Sequence, residues 1–125
     1  MAYTAPTEKD IIFQGRPDLT GFTASGTVDR GQTCIALGTL HAKAATADAD
    51  NFICVAVYRA TNGNKVALAG PGNIVRCIAS GSVTTGDDVQ TASEGKVYSG
   101  GTQSKQIGVA LETKSAGQTV RVLLI

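Results

Sequence analysis

The chain has no tryptophan, a single histidine, and only three phenylalanines and three tyrosines in 125 residues. A core built without large rings has to be filled by Val, Ile, Leu and Ala, which suits thin, closely packed sheets. The scarcity of histidine also narrows the chemistry, because a nucleophile needs a base and a group to orient that base. His41 is the only histidine, and a lone surface histidine is far more often inert than catalytic; no Gly-x-Ser-x-Gly segment is present. An excess of one charge is missing too. The formal net charge is +1 and no block of like charges occurs, so there is no strong field to draw in nucleic acid or an anionic membrane. Lysines and arginines are dispersed and do not interleave with the aromatics, which leaves no stacking platform for single strands. No apolar run approaches the roughly 18 residues of a membrane-spanning helix. The stretch Met1-Ala2-Tyr3-Thr4-Ala5-Pro6 lacks the basic-then-apolar layout of a signal peptide, and the expectation is a protein made in the cytoplasm.

The three cysteines, Cys34, Cys54 and Cys77, each sit inside an apolar, strand-like run, and none forms a C-x-x-C pair. An odd count without an export signal argues against a disulfide framework. Structural zinc needs about four suitably spaced ligands. The cysteines therefore read as small buried hydrophobes; a reactive thiol is the minority reading, since nothing nearby would favour a thiolate. Asp48-Ala49-Asp50-Asn51 resembles part of a calcium loop, but it lacks the following Gly and the bidentate Glu. Asp87 and Asp88 follow a glycine and suit a turn. Gly-x-x-x-x-Gly-Lys-Ser/Thr is absent, and Gly95-Lys96 fits a β-turn between strands. No catalytic residue, metal ligand or cofactor is expected.

What the chain does have is short apolar runs punctuated by glycine, of which there are 15. The length suits one domain, large enough to bury roughly two-thirds of its unfolded surface. Thr33-Cys34-Ile35-Ala36-Leu37 reads as a strand stopped by Gly38. Phe52-Ile53-Cys54-Val55-Ala56-Val57-Tyr58 is apolar on both faces and should be covered on both sides, centrally or at a subunit interface. Thr61-Asn62-Gly63-Asn64-Lys65 carries a hairpin signal, with Val66-Ala67-Leu68-Ala69 as the return strand. The Ala-rich stretch from His41 to Asp50 has no apolar stripe and reads as a surface loop with a possible short helix. From Ile74 onward period-2 alternation is clearer. Ile107, Val109 and Leu111 share one face opposite Gly108 and Ala110, and Val120, Val122 and Leu124 oppose Thr119 and Arg121. The apolar ending Leu123-Leu124-Ile125 should be covered. Regularly spaced strands with Gly turns and no intervening helix specify an all-β fold, a small β-barrel or β-sandwich of short antiparallel strands.

Residues 1–21 differ from the body at 22–125. They hold Pro6 and Pro17 and mix charge with isolated apolar residues around one cluster, Ile11-Ile12-Phe13. One reading is an extended N-terminal arm that orders only against a partner, with Ile11, Ile12 and Phe13 as its partner-binding anchor. The other is a frayed terminus or an edge strand folded back on its own domain.

The run Ala79-Ser80-Gly81-Ser82-Val83-Thr84-Thr85-Gly86-Asp87-Asp88-Val89 resembles a strand-turn-strand unit of small tailed-phage structural proteins. So do the hairpin Gly95-Lys96-Val97, the run Ile107 to Glu112, and the ending Ala116 to Leu124. The resemblance covers about the last fifty residues, and the first half only loosely. It is to the capsid decoration, or head-stabilising, proteins of lambda-like heads. It implies a virion protein on the outer capsid surface, assembled in the host cytoplasm. Such a protein works as a homotrimer whose partner is the major capsid protein, with no nucleic acid, membrane or cofactor involved. The alternative is a ligand- or receptor-binding β module of a phage fibre or tail, or another head–tail component. An enzyme is the least supported class.

Overall fold

The computed structural model describes residues 3–17, 19–47, 51–100 and 105–125. Its strands are β1 Ile12–Gln14, β2 Leu19–Ala24, β3 Thr33–Leu37, β4 His41–Ala44, β5 Phe52–Ala56 and β6 Lys65–Ala69, then β7 Ile74–Ile78, β8 Asp88–Thr91, β9 Val97–Ser99, β10 Gly108–Ala110 and β11 Thr119–Leu124. They form the expected all-β architecture in two parts: a closed barrel ordered β2-β4-β3-β5-β6, and a six-stranded sheet ordered β1-β7-β11-β10-β8-β9. Every pairing between these strands is antiparallel except β2 with β4, the parallel contact that completes the barrel.

A barrel of so few strands has a narrow lumen, so its inward positions take small side chains. Ala24, Cys34, Ala42, Cys54 and Ala56 fill it together with Val28, Val66 and Leu68. This corrects the reading of His41–Ala44 as loop or helix. The segment is a strand because Ala42 fits the lumen, while its backbone pairs with β3 on one side and β2 on the other. Cys34 and Cys54 are register partners across β3 and β5. Cys77 lies in the second core, and all three cysteines are buried, as expected.

The two-sided apolar strand β5 joins the halves. Cys54 and Ala56 enter the barrel, whereas Val55 and the following Val57 pack into the second core with Val75, Val89, Val97, Val120, Val122 and Leu124. The alternation of β11 holds, with Val120, Val122 and Leu124 buried and Thr119, Arg121 and Leu123 half-buried. This strand is paired on both edges, by β7 and β10; the Ile125 side chain is 57 % exposed, although its N–H donates to Ile107 O at 3.2 Å. In β10 the glycine and alanine face inward and Leu111 is 39 % exposed. Close approach decides this: a Cβ on Gly108 would lie 2.4 Å from Leu123 O, so only glycine fits.

The N-terminal stretch lies along the body. Tyr3 Oη donates to Arg30 O at 2.9 Å, Arg30 Nη2 donates to Pro6 O at 2.7 Å, and Arg76 N–H donates to Ile11 O at 2.7 Å. β1 then pairs with β7 as an edge strand of the sheet. Asn73 fastens the chain just after β1: its Oδ1 accepts from Arg16 N–H at 2.7 Å and its Nδ2 donates to Gly70 O at 3.0 Å.

Candidate interaction face

Strand register builds one distinctive surface on the outer face of the six-stranded sheet. β7 and β11 pair so that Arg76 lies opposite Arg121 and Ile74 opposite Leu123, and β10 sets Val109 opposite Leu123. Ile74, Val109 and Leu123 are half-buried, which makes an apolar row beside the two arginines. Phe13 of β1, 47 % exposed, covers them, with its ring centre 4.5 Å from the Arg121 guanidinium carbon and 5.4 Å from that of Arg76. Like charges directly opposite on neighbouring strands repel. The π face of Phe13 offsets part of that cost.

Glu112 offsets more. One of its oxygens accepts from Arg121 Nη2 at 3.0 Å, and the other accepts from the Arg121 backbone N–H, also at 3.0 Å. The Arg121 side-chain hydrogen bond is the main reason the Glu112 carboxyl is held below the usual carboxylate range; desolvation opposes it. Lys114 Nζ stands 4.0 Å from the same carboxylate. Arg76 Nη1 donates to the main-chain oxygen of Asp10 at 2.5 Å, and Arg76 has no ion pair among the described residues. Thr7, Glu8, Arg76, Glu112, Lys114 and Arg121 line an open groove of about 480 Å³ along this face.

The anchor suggested by the sequence is divided by this geometry. Ile11 is wholly buried in the second core, Ile12 is half-buried against it, and only Phe13 belongs to the outer face. Arg76 and Arg121 escaped notice in the sequence, although each is a lone cation interrupting an apolar strand.

The other residues weighed for chemistry lie elsewhere. His41 is exposed on the barrel, and its Nδ1 donates to Thr39 O at 2.7 Å. Asp87 is a turn residue: its Oδ2 accepts from Thr84 N–H and from Ser99 Oγ, both at 3.0 Å. Asp88 accepts from Gln106 Nε2 at 2.8 Å. Asp48 and Asp50 lie outside the described residues, among which no group of three or more His, Cys, Asp or Glu could hold a metal ion. Gly95 ends a short 3-10 helix, Ser93–Gly95, that stands between β8 and β9 in place of the expected β-turn; its φ is +70, and a Cβ there would lie 2.7 Å from Gln32 Cβ.

No protein-family profile and no curated protein matches the chain. Among solved structures its fold is similar to that of the head fiber gp8.5 N base in bacteriophage phi29, with a TM-score of 0.69 at 20 % identity. The match covers 83 % of this chain and 90 % of that one. At this identity the likeness is one of fold.

Proposed function

We propose that the chain is a virion structural protein of a tailed phage that binds the outer surface of the head as a homotrimer and stabilises contacts between major capsid subunits. The observation that carries this reading is the fold, which matches over most of both chains that of a protein of a phage head. The resemblance of the segments Ala79 to Val89 and Ile107 to Leu124 to head-decoration proteins points the same way. These segments form β8, β10, β11 and their turns, the centre of the six-stranded sheet.

Three physical features support the role. A small domain present in many copies needs only modest affinity per contact if each copy engages several subunits. A near-neutral charge lets copies pack closely on a shell. The exposed aromatic and arginines on one sheet face have the composition of interface hot spots.

The test is co-sedimentation of the purified protein with expanded empty heads, together with light scattering for its oligomeric state. Trimers that saturate the heads and raise their melting temperature are expected. A stable monomer that ignores heads would end this reading. A second reading, a ligand- or receptor-binding β module of a fibre, is favoured by one observation, that the structural neighbour is the base of a head fiber. Binding on a glycan array without head binding would select it.

A further inference from the structure

We infer that the groove beside Phe13 takes a carboxylate side chain from the head-shell subunit, held by Arg76 and Lys114 with Phe13 packed against the neighbouring apolar part of that segment. This rests on the reading of the chain as a head-binding protein.

Charge in the groove is unbalanced. Arg76, Arg121 and Lys114 face only Glu8 and Glu112 there, so cations are in excess. Glu112 is committed to Arg121 through both oxygens and is also the nearest anion to Lys114. Among the described residues Glu8 bonds only to Thr7 Oγ1, at 3.4 Å, which leaves Arg76 without a carboxylate. A guanidinium offers five N–H donors in a planar fork, and a carboxylate can accept two of them side by side. Arg76 spends one donor group on a main-chain oxygen. An incoming carboxylate would also relieve the repulsion between Arg76 and Arg121 across the strand pair.

The surroundings select the class of partner. Glu8 and Glu112 line the same groove and repel a polyanion such as nucleic acid, while tolerating a single carboxylate set between the cations. Next to the charges stand Phe13 and the row Ile74, Leu123 and Val109. An apolar centre with charged groups at its rim is the layout of a protein-binding patch.

The experiment uses the full chain and two probes. In head co-sedimentation, Arg76→Glu and Lys114→Glu should each weaken binding about tenfold, and wild-type binding should weaken further between about 50 and about 500 mM NaCl. Lys65→Glu, the same charge change on the barrel, should bind as wild type does. Circular dichroism melts confirm that the variants are folded; if Arg76→Glu is not, Arg76→Gln takes its place. In the second probe, ¹⁵N-labelled protein is titrated with a short Glu-containing peptide, its Gln counterpart and a DNA oligonucleotide. The Arg76 Nε and Phe13 amide resonances should move with the first alone.

Wild-type binding to heads that both groove variants retain would overturn the inference and leave the proposed function standing. Resonances that move only with DNA would overturn it too. Peptide binding in the groove without any binding to heads would instead overturn the proposed function and keep the groove's chemistry.

Discussion

Replacing Ile11 by alanine separates a residue that holds the fold from one proposed to serve a partner. Ile11 is wholly buried in the core beneath the six-stranded sheet, and its backbone carbonyl accepts a hydrogen bond from Arg76 N–H at 2.7 Å. Removing three carbons forfeits about 2.4 kcal/mol of transfer free energy, at about 0.8 kcal/mol for each buried CH₂. A cavity that stays open adds to this, and measured isoleucine-to-alanine changes in cores cost about 2 to 5 kcal/mol. Ile11 precedes an edge strand of three residues, which can settle inward, so a value of about 3 kcal/mol is expected. Against a total stability of about 5 to 15 kcal/mol this is a large fraction. With a urea m-value of about 1.5 kcal/mol/M, the midpoint should fall by about 2 M with the slope unchanged. The measurement is urea unfolding followed by far-ultraviolet circular dichroism, since the chain has no tryptophan. A midpoint within about 0.3 M of wild type would refute the reasoning and return residues near Ile11 to the status of an arm.

Phe13→Ala should behave in the opposite way, unfolding within about 1 kcal/mol of wild type while losing head binding in co-sedimentation. Gly108→Ala should destabilise by about 3 kcal/mol or prevent folding, because its Cβ would meet Leu123 O at 2.4 Å; Gly21→Ala, with nothing within 4 Å, should stay within about 0.5 kcal/mol in the same urea assay. Burial pushes the thiols of Cys34 and Cys77 up to about 12, so both should resist a thiol reagent at pH 8 until urea exposes them. The native state holds those protons more tightly than the unfolded state. Stability should therefore fall as pH rises from the ordinary thiol value of 9.0 towards about 12, by about 1.4 kcal/mol per pH unit for each thiol, read from unfolding curves across that range. Glu112 has the reverse sign. Its contribution is present above the ordinary carboxylate range and disappears as acid protonates it below that range; carboxyl NMR titration should show this depression shrinking in Arg121→Gln, with the part due to the Arg121 backbone N–H and Lys114 remaining.

Strands that end on glycine were legible because their signals are local. β3 and β6 stop at Gly38 and Gly70, and β11 alternates over its full length. The double-sided character of β5 also foretold its position between two cores. β4 was hidden because alanine carries little periodicity, and because a narrow lumen rewards small side chains that look featureless in a sequence. Its parallel pairing with β2 depends on distant segments meeting, which no local pattern encodes. β10 exposed the limit of reading apolar alternation: in the sequence Val109 and Leu111 stand out, yet the inward positions belong to Gly108 and Ala110, and at Gly108 the neighbouring backbone comes too close for any side chain. The face with Phe13, Arg76 and Arg121 comes from β1, β7 and β11, whose register was not readable; the visible clue was a single cation set in each of two apolar strands.

The position of β7 also bears on how the molecule carries tension. β1 and β11 flank it and both run antiparallel to it, so they point the same way. A pull applied through the chain entering β1 and the chain leaving β11 drags those two strands in opposite directions along β7. The bridging hydrogen bonds are then loaded together in shear and cannot open one after another like a zip. Such a load falls on the three-strand block β1-β7-β11, and the five-stranded barrel, inserted between β1 and β7 in the chain, is spared it while the β1–β7 pairing holds.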